Sequence, residues 1–302
     1  MSASLPTGVQ HEISSGEWRA VVTEVGAALR VLQRGGRDVV AGFAPEDRVV
    51  GCRGQQLLPW PNRIRDGRYE FDGVTHQLAL TEPHRHNAIH GLANWQPWRT
   101  VEHGESHLTQ RIVVHPQLGW PGTVEATITH RLDADGLTVE VTATNTGPRD
   151  IPFGYAAHPY LTVGEDTVDD VSVLLPADTY LEVDERLLPV RLSAVDGRPE
   201  DLRDGAQLGQ RVLDTAFTDL HRDDDGRWRI VLRRGEREAV MWAGPEFGWA
   251  QLFTGEKRRD IALAVEPMTC GPDAFNDGPT SEGRLVLAPG DVFTGTWGIT
   301  GR

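Results

Sequence analysis

The chain has 302 residues, of which 39% are hydrophobic and 25% charged, a balance typical of a folded globular protein and not of a disordered one. Its formal net charge of −14 argues against nucleic acid or an anionic membrane as the main partner, because both are polyanions. Two cysteines, Cys52 and Cys270, are too few for a disulfide framework, which favours a reducing compartment.

The N-terminal segment and the hydropathy pattern favour a cytoplasmic protein. Residues 1–18 contain no basic region followed by an apolar stretch, which is the pattern of a secretory signal. No apolar run approaches the length of a transmembrane helix either. We therefore expect a soluble, cytoplasmic protein.

A first segment rich in polar residues spans residues 55–67. Two arginines, Arg63 and Arg65, follow a stretch that Pro59 and Pro61 make rigid. They are either solvated side chains of a surface loop or guanidinium groups directed at the oxygen atoms of a ligand. The residues alone leave both interpretations open.

A second polar segment, residues 82–91, contains three histidines. Alternate residues of a strand share a face, so the spacing of His84, His86 and His90 is compatible with a metal site. The spacing also resembles the first half of a cupin motif, but Ile89 or His90 stands where that motif has a carboxylate. Two other interpretations remain: histidines bonded to the backbone of a loop, and a polar contact from one of them to a substrate.

Hydrophobic and polar residues alternate with a period of two along most of the chain, which predicts antiparallel strands. Turn residues separate four pairs of such strands, at Asp72–Gly73, Asp135–Gly136, Gly235 and Pro289–Gly290–Asp291. Helical periodicity is rare, and residues 200–213 are the place where a turn or two of helix is expected. No linker or long repeat divides the chain, so we predict a single all-β domain, residues 1–302, of two packed and twisted antiparallel sheets.

His158 lies among aromatic and apolar residues, and Pro159 favours an extended backbone at this point. A histidine in such surroundings is commonly a hydrogen-bonded residue of the core. Partial burial would also bring its pKa close to neutrality, which suits a proton donor. Both interpretations are compatible with the local sequence.

Glu266 follows a continuous apolar run, Ile261 to Val265, which predicts a strand buried on both faces. The strand is expected to end at Glu266, since Pro267 cannot donate to a further ladder. A carboxylate at the end of a buried strand needs partners or water, so Glu266 is a candidate for a residue that lines a cleft. Cys270 is expected to be a small buried hydrophobe.

Six short motifs occur along the chain: PNRI (61–64), NAIHG (87–91), HPYL (158–161), DTAF (214–217), QLFTG (251–255) and VEP (265–267). Their order and spacing resemble those of the aldose 1-epimerase, or galactose mutarotase, family. The resemblance implies a galactose mutarotase-like β-supersandwich, in agreement with the period-two alternation. It also implies an isomerase that needs no cofactor and takes a small-molecule sugar as its partner. A monomer and a homodimer both stay open, because pairing at exposed sheet edges could support a dimer.

The resemblance also implies roles for individual residues. His158 matches the family's general acid, and Glu266 matches its general base. The positions that match sugar-binding residues of the family are Arg63, His90, Asp214 and Gln251.

These residue types suggest how a sugar ring would open. Interconversion of the α and β anomers of an aldose requires removal of the O1 proton and protonation of the ring oxygen. Ionised Glu266 would take the first proton while protonated His158 gives the second, and their opposite charges would favour that state. Rotation about C1–C2 and the reverse steps would then close the ring on the other face.

Three alternatives remain open. A mutarotase for a phosphorylated or sulfonated sugar would need more cations at the pocket, and Arg53, Arg65 and Arg85 are near the matching motifs. A non-catalytic carbohydrate-binding protein would keep the fold without the reaction. A metal-dependent cupin-like enzyme would use the three histidines of residues 82–91.

Overall fold

The computed structural model describes residues 4–164, 167–255 and 262–302, and antiparallel β-strands dominate these ranges. From the N-terminus the strands are β1 (Gln10–Ser15), β2 (Trp18–Thr23), β3 (Leu29–Arg34), β4 (Arg37–Val40), β5 (Gln56–Leu57), β6 (Arg63–Arg65), β7 (Arg68–Phe71), β8 (Val74–Gln77), β9 (Asn87–Ile89), β10 (Arg99–His103), β11 (His107–Val114), β12 (Val124–Leu132), β13 (Leu137–Asn145) and β14 (Ile151–Phe153). They continue with β15 (Ala156–Ala157), β16 (Tyr160–Leu161), β17 (Ser172–Leu174), β18 (Ala177–Val183), β19 (Pro189–Ala194), β20 (Ala206–Gln207), β21 (Asp214–Leu220), β22 (Trp228–Arg234), β23 (Arg237–Ala243), β24 (Trp249–Phe253), β25 (Leu263–Met268), β26 (Leu285–Leu287) and β27 (Val292–Gly301).

Short 3₁₀ helices are the helical elements of the described residues, at Pro83–Arg85, Val168–Asp170 and Ser281–Gly283. No helix in these ranges has the length and apolar character needed to cross a membrane.

The strands form two large sheets. The first runs in the order β1-β2-β3-β4-β16-β25-β24-β21-β18-β19, with β15 beside β25 and β5 beside β15. The second runs in the order β10-β11-β12-β13-β27-β23-β22-β17-β20. Two-stranded pairs are formed by β14 with β26, β6 with β9, and β7 with β8.

The core lies between the two large sheets, as the period-two alternation predicts. Along β12 the alternate residues Val124, Ala126, Ile128 and Leu132 are buried. They belong to one continuous hydrophobic cluster that also contains Ala20 and other side chains of the first sheet. The predicted all-β fold of packed antiparallel sheets is therefore confirmed.

The predicted hairpins at Asp72–Gly73, Asp135–Gly136 and Gly235 are confirmed, since they join β7 to β8, β12 to β13 and β22 to β23. The fourth predicted turn, at Pro289–Gly290–Asp291, lies between two strands as expected, but only the first of them, β26, is short. β26 pairs with β14, and β27 is a ten-residue strand between β13 and β23. The turn at Pro289–Gly290–Asp291 therefore carries the chain from one sheet to another and does not close a hairpin.

The helical turn expected in residues 200–213 is also wrong. This segment contains the short strand β20 and turns at Gly205 and Gly209, whose φ angles are +77° and +55°. Those left-handed conformations stop a right-handed helix. Burial of Leu202 and Leu208 fixes the segment against the second sheet instead.

Pro267 does not end its strand, because β25 continues to Met268. Val265 N donates to Pro159 O at 3.1 Å and Thr269 N to Tyr155 O at 2.9 Å. Pro267 lies midway between these two donors and opposite Ala157 in the register of the two strands, so the pairing continues past Pro267 with one hydrogen bond missing. Ile261, the start of the predicted apolar run, lies outside the described residues.

Candidate active site

A cleft of about 940 Å³ opens on the first sheet, and five of the six predicted site residues line it. These are Arg63, His90, His158, Asp214 and Glu266. The sixth, Gln251, is buried beside them, and its Nε2 donates to Asp214 Oδ1 at 2.6 Å. The structure thus brings together all six residues from segments that are far apart in the sequence.

Strand register explains why three of these side chains meet. Ala156 pairs with Met268 and Tyr160 pairs with Ala264, so His158, midway between them, lies opposite Glu266. On the other side of β25, Glu266 pairs with Gln251 of β24. Residues opposite one another in adjacent antiparallel strands point to the same face, so the three form a row across the sheet.

Asp214 joins this row through β21. Ala216 pairs with Gln251, and Asp214 lies two residues from Ala216 on the same face of the strand. A carboxylate, an amide and the His158–Glu266 pair therefore share one patch of the sheet.

The His158–Glu266 contact is the chemical centre of the cleft. His158 Nε2 and Glu266 Oε1 are 3.2 Å apart, and both side chains are at most 5% exposed. His158 Nδ1 and Glu266 Oε2 are buried and have no hydrogen-bond partner among residues 4–164, 167–255 and 262–302. Buried polar atoms without partners are costly, so these two atoms are suited to contacts with a polar ligand.

Burial shifts the pKa values of the pair in opposite directions. It raises the pKa of Glu266 well above its ordinary value, with a further increase from the Asp214 carboxylate that the Arg63 guanidinium opposes. It lowers the pKa of His158 to about 3, and the charge of Arg53 acts in the same direction. Both shifts favour the uncharged forms of the two side chains.

This finding corrects two expectations drawn from the sequence. His158 is nearly fully buried, at 4% exposure, so its pKa lies well below neutrality and not close to it. Burial also opposes a carboxylate on Glu266 and an imidazolium on His158, because it removes both charges from water. The directions of both pKa shifts therefore run against the preformed carboxylate and imidazolium that the residue types suggested.

Arg63 lies at the start of β6 and is held by carboxylates. Its Nε and Nη2 donate to Glu82 Oε2 and Oε1 at 3.0 and 3.1 Å, a bidentate ion pair. Nη2 also donates to Asp214 Oδ2 at 3.4 Å. Burial alone would lower the pKa of Arg63, but the charges of Asp214 and Glu82 raise it, so the guanidinium keeps its charge.

His90 lies in the cleft and packs against His158. The Asn62 backbone N–H donates to His90 Nδ1 at 3.2 Å, which leaves Nε2 to carry the proton of the neutral ring. Burial lowers the pKa of His90 well below its ordinary value, and the charges of His158 and Arg63 add to this. The His90 and His158 rings meet edge to face, with centroids 5.3 Å apart.

The three histidines of residues 82–91 do not form a metal site. His84 is in a 3₁₀ helix with its Nε2 2.8 Å from Arg85 Nη1, while His86 Nδ1 contacts Asp66 Oδ1 at 2.9 Å. The histidines therefore do not alternate along one strand. No group of three or more histidine, cysteine or acidic side chains suited to a metal ion occurs in the part of the chain that the structure describes.

The three arginines that the sequence offered for an anionic sugar have different positions. Arg65 Nε pairs with Asp273 Oδ2 at 3.3 Å. The guanidinium carbon of Arg53 lies 4.6 Å from the ring centroid of Tyr160. Of the three, Arg85 lines the cleft.

Sequence reasoning missed Glu82, which is 6% exposed and bonded to Arg63. A buried guanidinium needs a carboxylate as its partner. If Arg63 faces a pocket, a nearby carboxylate is therefore expected. The sequence separation of 19 positions hides which carboxylate it is.

Comparisons with known proteins identify the family and the fold. The aldose 1-epimerase family model matches residues 10–300. The chain is 31% identical over 273 residues to the uncharacterized protein YihR of Escherichia coli (strain K12), covering 90% of this chain and 87% of that protein. It is also 31% identical over 210 residues to the human galactose mutarotase, covering 65% of this chain and 59% of that protein.

The fold has a similar solved relative in the GalM/aldose epimerase homologue from C. elegans. The TM-score is 0.84 over 97% of this chain and 98% of that chain. At 20% identity this likeness concerns the fold alone. The family model over nearly the whole chain carries the assignment: the chain belongs to the aldose 1-epimerase family.

Proposed function

We propose that the protein is an aldose mutarotase, an isomerase that interconverts the α and β anomers of a sugar such as glucose or galactose. The observation that carries the proposal is the buried contact of 3.2 Å between His158 and Glu266 in a cleft of about 940 Å³. The family match over residues 10–300 supports a single catalytic domain. The free cysteines Cys52 and Cys270 support a cytoplasmic location.

The shifted pKa values favour the chemistry of ring opening. Glu266 takes the O1 proton of the sugar, His158 gives its proton to the ring oxygen, and the bond from C1 to that oxygen breaks as the carbonyl forms. A raised pKa makes Glu266 a stronger base, and a lowered pKa makes His158 a stronger acid. The products of this step are the uncharged forms of both side chains, which burial favours.

The cycle starts with Glu266 ionised and His158 protonated. A hydrogen bond from the O1 hydroxyl to the unpartnered Glu266 Oε2 would stabilise the carboxylate and draw the proton to His158. Rotation about C1–C2 in the open-chain aldehyde exposes the other carbonyl face. Reversal of both proton transfers closes the ring and restores the pair.

The remaining polar groups of the cleft would orient the sugar. His90 supplies an Nε2–H donor, Asp214 supplies carboxylate oxygens, and Gln251 Oε1 is a buried acceptor without a partner in the described residues. Arg63 would hold the ring oxygen beside His158. Losing one of these contacts should weaken the reaction less than losing a proton-transfer residue.

Polarimetry on freshly dissolved α-D-glucose and α-D-galactose tests the proposal. We expect the wild type to speed the approach to anomeric equilibrium, and Glu266→Gln and His158→Asn each to lose about 10²-fold or more of that rate. The control is Glu12→Gln, which removes an exposed carboxylate paired with Arg19 and should act like the wild type. Acceleration that survives in Glu266→Gln would refute its role as base, and sugar binding without acceleration would indicate a binding protein.

A second candidate substrate is an anionic aldose. Arg85 lines the cleft and uses Nη1 for its contacts with Glu82 and His84, so Nε and Nη2 have no partner within the described ranges. These donors suit a phosphate or sulfonate group. Assays of glucose 6-phosphate beside glucose, with the wild type and with Arg85→Gln, separate the two candidates: a preference for the phosphate that disappears in the variant favours the anionic sugar.

A further inference from the structure

Glu82 is a buried carboxylate in the wall of the cleft, and it accepts four hydrogen bonds from protein groups. Oε2 accepts from Arg63 Nε and from Asn87 Nδ2, both at 3.0 Å. Oε1 accepts from Arg63 Nη2 at 3.1 Å and from Arg85 Nη1 at 2.9 Å. A carboxylate has about four acceptor sites, so Glu82 has none left for a sugar.

Glu82 therefore acts on the site only through its partners. Arg63 is the partner that also contacts Asp214, whose other oxygen accepts from Gln251, the residue paired with Glu266. Of the five N–H groups of Arg63, two donate to Glu82, one to Asp214 and one, through Nη1, to Asn62 Oδ1 at 3.3 Å. A single N–H on Nη1 is left for a ligand. The bidentate contact with Glu82 fixes the plane of the guanidinium and thus the direction of that N–H.

A second layer of contacts holds Glu82 in place. Asn87 Nδ2 also donates to the Arg186 carbonyl at 3.2 Å, and Arg186 Nε donates to the Arg85 carbonyl at 2.9 Å. The segment that carries Glu82 is thereby tied to the turn between β18 and β19. Burial would raise the pKa of Glu82, but the hydrogen bonds and charge of Arg63 and the donors of Asn87 and Arg85 together hold it below its ordinary value.

We propose that Glu82 is the positioning residue of this site: it orients Arg63 so that one N–H meets the ring oxygen of the bound sugar. The inference rests on the proposed mutarotase function. It assigns no proton transfer to Glu82. Its effect on the reaction passes through Arg63 alone.

The substitution Glu82→Asp tests this, because it keeps the charge but withdraws the carboxylate by one methylene. We expect kcat/KM for the better of glucose and galactose to fall about 10- to 100-fold through the misplaced guanidinium. In an Arg63→Lys background the same substitution should cost less than about threefold, because the orientation that it disturbs is already lost. Glu12→Gln is the matched control away from the cleft.

The Nε–H resonance of Arg63 in NMR spectra, assigned by its loss in Arg63→Lys, gives a readout that does not depend on activity. We expect Glu82→Asp to shift this resonance and speed its exchange with water. If the wild type isomerises neither sugar, the proposed function fails for both, and the resonance alone decides the role of Glu82. Should Glu82→Asp not fold, Asn87→Ala, which removes one donor to Glu82, is used in the same way.

Three results would overturn the proposal. One is wild-type kcat/KM in folded Glu82→Asp. Another is an equal loss in the wild-type and Arg63→Lys backgrounds, which would mean that Glu82 acts by another route. The third is an Arg63 resonance that Glu82→Asp leaves unchanged.

Discussion

At the scale of single residues, burial decides the chemistry of the cleft. Glu266 and His158 are both almost inaccessible to water, and each is therefore easier to neutralise than to charge. A base and an acid prepared in this way gain driving force for proton transfer. The same burial makes the pair a cost to the folded state, so stability and activity oppose one another at these positions.

Glu266→Gln should stabilise the protein increasingly as the pH rises. The pKa of Glu266 is raised in the folded state above the unfolded value of 4.5, so the folded protein holds a proton that the unfolded chain releases. Stability contributed by this group is present below that unfolded value and is lost as the pH rises, by up to about 1.4 kcal/mol per pH unit. Glutamine does not titrate and avoids the loss.

Urea unfolding at about pH 5 and about pH 8 measures this effect as the difference between variant and wild type. Between the two pH values, the free energy of unfolding of the variant should rise relative to that of the wild type. The variant should also lose mutarotation. The control is Glu12→Gln, which removes an exposed carboxylate instead. A difference that is the same at both pH values would contradict a raised pKa for Glu266.

At the scale of elements, short strands and tight loops build the cleft. β15 and β16 have two residues each and leave His158 and Pro159 between them, beside β25. The loop after β9 brings in His90, and Gly91 follows it with a φ of +73°. A Cβ on Gly91 would lie 2.2 Å from the carbonyl oxygen of Leu58, so only glycine fits at this close approach.

Gly91→Ala should therefore destabilise the protein and displace His90. Gly73→Ala is the matched control, because its φ is +69° and a Cβ there would meet nothing within 4 Å. The control should lose about 1–2 kcal/mol of unfolding free energy from backbone conformation alone. Gly91→Ala should lose clearly more and lower the rate of mutarotation, as measured by urea unfolding and polarimetry. Equal losses for both variants would show that the Leu58 carbonyl moves away from the added Cβ without a further loss of unfolding free energy.

At the scale of the whole molecule, two large sheets enclose a continuous apolar core that contains a costly polar side chain, His130. His130 of β12 is 0% exposed. Both of its ring nitrogens are without a hydrogen-bond partner in the described parts of the chain. Burial lowers the pKa of His130 from its unfolded value of 6.5 to about 3. The folded protein therefore does not bind the proton that the unfolded chain takes up as the pH falls below 6.5.

His130→Leu should make the fold more tolerant of acid. Because the pKa of His130 is lowered on folding, stability is lost as the pH falls from 6.5 toward 3. That loss reaches about 2 kcal/mol by about pH 5. Leucine does not titrate and avoids this loss. As the pH falls from about 7.5 to about 5, the free energy of unfolding of the variant, measured in urea, should rise by this amount relative to that of the wild type. The control is His115→Leu at an exposed position, and a constant difference for His130→Leu would refute a lowered pKa.

The amino-acid sequence by itself determined the all-β class, the three hairpins, the family and six residues that the structure brings together. Period-two alternation and turns such as Asp135–Gly136 depend on neighbours in the chain, so they are readable locally. The tertiary structure alone decided that Glu266 lies between His158 and Gln251, that Glu82 holds Arg63, that β25 runs past Pro267 and that β26 does not pair with β27. It also decided that burial shifts the pKa values of His158 and Glu266 toward their uncharged forms, because register between distant strands and the burial of a side chain depend on the packing of the whole chain.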